Sequence, residues 1–288
     1  MTDAPGPIAP SHETTVDVRG AGLYAETFLP KGSPRGVVLI THGYAEHCGR
    51  YREVAHVIVN AGWAAFAYDL RGHGQSPGER GFIDHFQTYL EDFTAALAAA
   101  RKLVPADAPT VLLGHSHGSL ITLRALCSDH PPSVAAAVLA SPFLGLRLVV
   151  PRHKKLLARI ASRLAPKFAQ PNALRVEDLT RDKTKQAERL ADKLCFDVAT
   201  ARWFTESLEA QDYVAQHAAR ITVPTTWLVG GADPIADASQ SKRVAGRIAG
   251  AHYHDLVGLK HEVFNEIDRA KVFGELAGVL TACNATTA

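Results

Sequence analysis

The chain has 288 residues, of which 47% are hydrophobic, and its 31 Lys/Arg against 29 Asp/Glu leave a formal charge of +2. This length and apolar content suit one enzyme-sized unit with a large core. They argue against a helical membrane protein, because no apolar run approaches the ~18 residues a spanning helix needs.

The opening stretch Met1-Thr2-Asp3-Ala4-Pro5-Gly6-Pro7 has no basic start followed by an apolar run, so no secretory signal is expected and a cytoplasmic location is the default. Residues 1–12 lack periodicity and read as a disordered tail. Residues 14–18 and 23–28, on either side of Arg19-Gly20-Ala21-Gly22, read as a β-hairpin. Short continuous apolar runs follow at 37–40, 64–68, 111–113, 136–139 and 226–229. Runs apolar on both faces are expected in the buried strands of a parallel sheet. Helical patterns lie between them at 52–60, ending at Gly62, and at 86–101, where Phe86, Leu90, Phe93 and Leu97 fall at helical spacing. A last helix carries Val272, Phe273, Leu276, Val279 and Leu280 on one stripe. The alternation predicts a doubly wound α/β domain, a mostly parallel sheet with helices on both faces. Cys48, Cys127, Cys195 and Cys283 are scattered without C-x-x-C pairing, so free thiols are expected rather than disulfides or a metal site.

In such a sheet, chemistry collects on the loops at the carboxyl ends of the strands. Gly114-His115-Ser116-His117-Gly118 sits between an apolar run and a helical stretch. That is the context of a nucleophile elbow, where a serine is held on a strained turn and small neighbours keep the chain clear of its hydroxyl. His42-Gly43-Tyr44 ends the first buried strand and can supply one backbone donor of an oxyanion hole; the amide of His117 would be the other. Asp69-Leu70-Arg71-Gly72-His73-Gly74 gathers carboxylate, guanidinium and imidazole groups. Its glycines favour a tight structural loop over a catalytic cluster. Asp233 follows the 226–229 strand, where an acid that orients a histidine belongs, with Asp237 as the rival. His261 lies between the strand at 252–256 and the last helix. Chain order selects it from fourteen histidines: Ser116, Asp233, His261 is the serine, acid, histidine order of a hydrolase triad.

Together, His42-Gly43-Tyr44-Ala45-Glu46-His47-Cys48-Gly49-Arg50-Tyr51, Arg71-Gly72-His73-Gly74-Gln75-Ser76-Pro77, the elbow, Asp233 and His261-Glu262-Val263-Phe264-Asn265 resemble the monoacylglycerol lipase/lysophospholipase group of α/β-hydrolases. The resemblance covers about residues 35–145 and 220–280. It implies a triad of Ser116, Asp233 and His261, an oxyanion hole of the Tyr44 and His117 amides, and glycerol head-group binding by Glu46 and Arg50. It also implies hydrolysis of an acyl ester through an acyl-enzyme, chemistry that needs neither metal nor organic cofactor. Two positions depart from the group. His117 stands where a methionine is common, and Arg189 falls loosely where the mammalian members carry a tyrosine that reaches the head group.

The intervening stretch is compositionally foreign. Between Arg147 and Arg189 twelve Lys/Arg face four Asp/Glu, a local +8 that leaves −6 on the rest of a chain totalling +2. It reads as a helical cap at 146–205 inserted between core segments 13–145 and 206–288. Pro151 suits a helix start, and Leu156, Leu157, Ile160, Leu164 and Phe168 recur at helical spacing beside Lys154, Lys155, Arg159, Arg163 and Lys167. Such a stripe suits a lid resting on an anionic lipid surface. The other reading is a helix packed on the core with a solvated basic face. Nucleic-acid binding is not expected, since stacking aromatics are not interleaved with the charges. Three other functions are open: a serine aminopeptidase-type amidase, a general short-chain or aryl esterase, and a ligand-binding receptor built on a hydrolase site. An aspartate-dependent dehalogenase or epoxide hydrolase is disfavoured by Ser116. Sequence alone leaves the oligomeric state and the natural acyl chain open.

Overall fold

Two consecutive positive φ angles, at Arg19 (54°) and Gly20 (83°), turn the chain between β1 (His12–Val18) and β2 (Ala21–Phe28). This is the two-residue turn whose twist matches the strands it joins. The computed structural model describes residues 4–147, 151–172 and 174–285. From the hairpin the chain alternates through β3 (Val37–Thr41), α1 (Arg52–Asn60), β4 (Ala64–Tyr68), α2 (Phe86–Arg101), β5 (Thr110–His115), α3 (His117–Leu126) and β6 (Ala136–Ala140). An excursion follows: α4 (Arg152–Leu164), β7 (Ala169–Pro171), α5 (Val176–Leu179), α6 (Lys183–Ala191), β8 (Val198–Thr200) and α7 (Ala201–His217). The chain then returns through β9 (Thr225–Gly230), α8 (Ala238–Ala245), β10 (Ala251–Leu256) and α9 (Arg269–Ala285).

Eight strands form one sheet in the order β1-β2-β4-β3-β5-β6-β9-β10. β1 and β2 pair antiparallel, as do β2 and β4; every other pair is parallel. The continuous apolar runs exist because both faces are covered. Val37 and Leu39 pack with α2, α3 and α7 on one face, while Val38 and Ile40 pack with α1 and α9 on the other. Each fully buried Leu or Ile contributes about 1.5–3 kcal/mol over an exposed one. Helix α1 stops where its sequence says it should. Gly62 takes φ 79°, its amide donates to the Val59 carbonyl at 2.9 Å, and the Trp63 amide donates to the Ile58 carbonyl at 3.1 Å. That pair of bonds is a Schellman cap, and it needs a residue free to adopt left-handed backbone.

Three expectations change. Residues 4–11 carry no helix or strand but are laid on the core rather than disordered. Ala4 and Ile8 pack against the α1/α9 face, the Ser11 amide donates to the Thr27 carbonyl at 2.7 Å, and His56 Nδ1 lies 2.8 Å from the Gly6 carbonyl. The stripe from Leu156 to Phe168 is not one helix. Pro166 has no amide to donate and disfavours helical backbone before it. Ala165 accordingly leaves the helix at φ −143°, and Phe168 sits just ahead of β7. In α4 several apolar side chains are exposed, with Leu156 at 58%, Ile160 at 47% and Leu164 at 82%, while Leu157 lines a cavity. The helix is tied to α7 by the Ser162 and Thr205 hydroxyls, 2.8 Å apart. The residue 205 boundary read from sequence falls inside α7, which is continuous from the excursion into the core.

Candidate active site

Ser116 joins β5 to α3 at φ 50° and ψ −113°, a strained conformation for a residue with a Cβ. Its neighbours must be glycine for a steric reason. A Cβ on Gly118 would lie 2.0 Å from the Thr41 carbonyl oxygen, and one on Gly114 would lie 2.7 Å from Ser119 Cα. The close approach of β3, β5 and α3 thus presents the hydroxyl at the carboxyl edge of the sheet.

His261 comes from the loop after β10 and Asp233 from the loop after β9. His261 Nε2 lies 2.9 Å from Ser116 Oγ, and Nδ1 lies 2.7 Å from Asp233 Oδ2. A carboxylate can only accept, so Nδ1 carries the proton and Nε2 is left as the acceptor for the serine hydroxyl. Asp233 Oδ1 accepts the Ile235 and Ala236 amides at 2.8 and 3.0 Å. Burial pushes the Asp233 carboxyl up, but the charge of His261 and these hydrogen bonds outweigh it and hold the group below its ordinary range. Asp237 is placed elsewhere. It caps α8, accepting the Ser239 amide at 2.9 Å and the Ser239 hydroxyl at 2.6 Å.

Two amides near the elbow lack an acceptor. Among the described residues the Tyr44 amide has no acceptor, and the His117 amide, first in α3, has none within its helix. The Tyr44 loop is held from both sides. His42 Nε2 accepts the Leu70 amide at 2.9 Å, so Nδ1 is protonated and donates to the Gly43 carbonyl at 2.7 Å. Burial lowers the basicity of His42 more than Asp69 and Glu46 raise it, which keeps the ring neutral. From above, the Tyr44 ring stacks on Trp203 of α7 at 3.7 Å, and its hydroxyl donates to the Val198 carbonyl at 2.7 Å. The neighbouring Asp69 is structural: its carboxylate accepts the Cys48 and Gln75 amides, each at 2.7 Å.

Next to the Ser116–His261–Asp233 contacts lies a charged cluster. Glu46 accepts the Tyr51 hydroxyl at 2.7 Å, Arg50 Nε at 3.2 Å and His115 Nδ1 at 3.1 Å. Arg50 also reaches Glu262 at 2.6 Å. Burial pushes the Glu46 carboxyl up, but the hydrogen bond and charge of His115 and the charge of Arg50 hold it well below its ordinary value. Glu46 borders the cavity, whereas Arg50 braces Glu46 and Glu262 from behind. The side chain of His117 is fully buried among the rings of Tyr44, Phe86, Tyr89 and Trp203, and neither of its nitrogens has a partner. Burial lowers its pKa to about 3. All four cysteines are free thiols, with Cys195 the least buried.

Above Ser116 opens a cavity of about 560 Å³. Its lining includes the apolar Leu146, Leu157, Phe168, Phe204 and Ile235 and the polar Glu46, His115, Arg189 and Glu262. Sequence reasoning missed His115, Glu262 and Trp203 as parts of the site. None carries a local signal, because their partners lie far away in the chain.

A serine on a strained strand-to-helix turn, backed by an imidazole and a carboxylate at the carboxyl edge of a doubly wound sheet, defines an α/β-hydrolase. Residues 32–268 match the family model described as "Serine aminopeptidase, S33". The chain belongs to that family, in its monoacylglycerol lipase and phospholipase group. It is 31% identical over 269 residues to a monoacylglycerol lipase of Mycolicibacterium smegmatis, covering 92% of this chain and 95% of that one. It is 29% identical over 243 residues to the phospholipase YtpA of Bacillus subtilis, covering 83% and 93%. Among solved structures it is similar to a Paleococcus ferrophilus monoacylglycerol lipase, with a TM-score of 0.82 and 25% identity, over 91% of this chain and 99% of that one.

Proposed function

We propose that this protein is a serine carboxylester hydrolase that cleaves acyl esters of the monoacylglycerol or lysophospholipid kind through an acyl-enzyme on Ser116. One observation carries the reading: the Ser116–His261–Asp233 chain of contacts, 2.9 and 2.7 Å long, borders a cavity lined by both apolar and polar side chains. Ser116 Oγ attacks the ester carbonyl while His261 Nε2 takes its proton. Asp233 holds the imidazole in the correct tautomer and stabilises the imidazolium. The Tyr44 and His117 amides receive the developing oxyanion. His261 then returns the proton to the leaving alcohol, and water repeats the cycle on the acyl-enzyme.

The cavity supports an ester over an aminoacyl amide. A free α-amino group would need an available carboxylate, but Glu46 and Glu262 are both engaged by Arg50. Turnover on medium-chain monoacylglycerols, lysophospholipids, p-nitrophenyl esters and aminoacyl amides tests the reading. The expected ranking is acyl esters far above amides. A preference for amides would make the chain a peptidase, and negligible turnover on all four would make it a receptor.

The excursion supports a second element of the proposal, contact with an anionic lipid surface. Leu156, Ile160 and Leu164 stand exposed on α4 next to exposed Arg159 and Arg163. An apolar stripe flanked by cations suits an interface between water and anionic lipid. Among the described residues no helix is long and apolar enough to cross a membrane.

A further inference from the structure

Arg189, in the last turn of α6, lines the cavity and is only 9% exposed. Buried cations are ordinarily paired, because leaving a charge out of water without a counter-charge is costly. Every other cation or carboxylate of this cluster has such a partner. Glu46 and Glu262 hold Arg50, Glu46 also holds His115, and Asp192 holds His47 at 2.6 Å. Among the described residues the Arg189 guanidinium has one hydrogen-bond partner, the Cys195 sulfur at 3.3 Å, and no ion pair. That sulfur is a weak acceptor. Burial pushes the Cys195 thiol up to about 12, so it stays uncharged and gives Arg189 no anion. A guanidinium offers a fork of donors matched to the paired oxygens of phosphate or carboxylate.

We infer that Arg189 is a specificity residue that binds an anionic oxygen group, phosphate or carboxylate, on the alcohol portion of the ester. The inference rests on the proposed hydrolysis at Ser116 and narrows its substrate class. The charge of Arg189 is felt by Glu262, which also lines the cavity, but Glu262 is held by Arg50 at 2.6 Å and lies outside ion-pair distance of Arg189, as does Glu46.

The test compares kcat/KM for three soluble octanoyl esters that differ only in the alcohol: glycerol, glycerol 3-phosphate and glycerol 3-hemisuccinate. Wild type, Arg189→Met and Arg189→Lys are assayed, and p-nitrophenyl butyrate serves as the readout of the triad. The quantity read is selectivity for each anionic ester over the neutral one, which cancels any general loss of active protein. Wild type is expected to favour at least one anionic ester. Arg189→Met should cut that selectivity about 10- to 100-fold, the range of a charge-assisted hydrogen bond, and Arg189→Lys should retain part of it. The phosphate and hemisuccinate arms separate the two sources of charge. Competition of glycerol 3-phosphate against p-nitrophenyl butyrate, absent with glycerol at equal concentration, provides a wild-type readout should both variants misfold. Selectivity unchanged by Arg189→Met, or a wild type that prefers the neutral ester, overturns the inference. A wild type inactive on every ester, p-nitrophenyl butyrate included, instead overturns the reading on which it rests.

Discussion

His115 Nε2 lies 3.2 Å from the backbone carbonyl of His261, which ties the end of β5 to the loop that carries the His261 imidazole. The other nitrogen of His115 faces Glu46 at 3.1 Å. Both partners only accept, so the ring satisfies both when it is an imidazolium. Burial lowers the basicity of His115, but the hydrogen bond and charge of Glu46 more than restore it and leave the pKa raised.

This pair makes stability depend on pH. A raised histidine stabilises the fold fully below its ordinary value near 6.5, and the contribution is lost as pH rises through the higher folded value. The depressed Glu46 carboxyl stabilises above its ordinary value near 4.5, and that contribution is lost as pH falls further. The stability gap between wild type and His115→Gln should therefore be widest between these two values and shrink on the alkaline side. Urea unfolding of both proteins from pH 5 to 9 measures it. A gap that grows with pH would mean that His115 is held neutral.

Asp233 and Asp237 were rivals in the sequence, and their surroundings separate them. Asp233→Asn should reduce ester turnover by roughly three to four orders of magnitude, the cost of presenting the wrong imidazole tautomer. Asp237→Asn should change stability by less than about 0.5 kcal/mol and leave turnover intact, because asparagine caps a helix as well as aspartate. Steady-state kinetics on p-nitrophenyl butyrate and thermal melts of both variants decide the matter. An inactive, folded Asp237→Asn would reassign the acid.

His117 departs from its group, and its surroundings make the side chain a burden. An unsatisfied buried polar group costs about 1–3 kcal/mol, and methionine fills irregular aromatic surroundings well. His117→Met should be more stable than wild type and keep most short-ester activity, since the backbone donor survives. The sign of the pH effect is fixed. Between the ordinary value of 6.5 and the folded value of about 3, unfolded chains bind a proton that folded ones do not, so wild type weakens as pH falls. The advantage of the variant should widen from pH 7 to pH 4 in chemical denaturation. A loss of ~100-fold in turnover with an intact fold would show that the imidazole takes part in catalysis.

On the outer face of α4, each well-placed cation should add roughly 1 kcal/mol of attraction to anionic lipid. Arg159→Glu combined with Arg163→Glu should weaken sedimentation with anionic vesicles and slow turnover of long-chain substrate in them. Hydrolysis of soluble short esters should hold. Salt should mimic part of the loss, given a Debye length of about 10 Å at 0.1 M. Equal binding of the double variant and wild type would leave the excursion as a solvated basic face.

The parts of this protein legible in sequence are those whose cause is local. Val37 to Ile40 read as a strand because both faces are apolar, and Gly62 ended α1 because only a residue at ease with positive φ could. Ser116, Asp233 and His261 were picked out by their positions after the strands β5, β9 and β10, and the structure brings the three within hydrogen-bond distance. What stayed hidden depends on contacts across long stretches of chain. The His115–Glu46 contact spans 69 residues and the Arg50–Glu262 pair spans 212. Nothing local marks His117 as unpartnered or Arg189 as facing a cavity. Phe168 misled because apolar spacing continued past Pro166, where the backbone could not.

The central claim is that the acyl group passes through Ser116. Wild type and Ser116→Ala, mixed with a p-nitrophenyl ester and quenched in acid within milliseconds to seconds, can be digested and read by mass spectrometry. The account predicts an added acyl mass on Ser116 in the wild-type peptide that appears before steady-state turnover, and none in Ser116→Ala, which should be inactive. Acylation at another residue, or a folded Ser116→Ala that still turns the ester over at near wild-type rate, would contradict it.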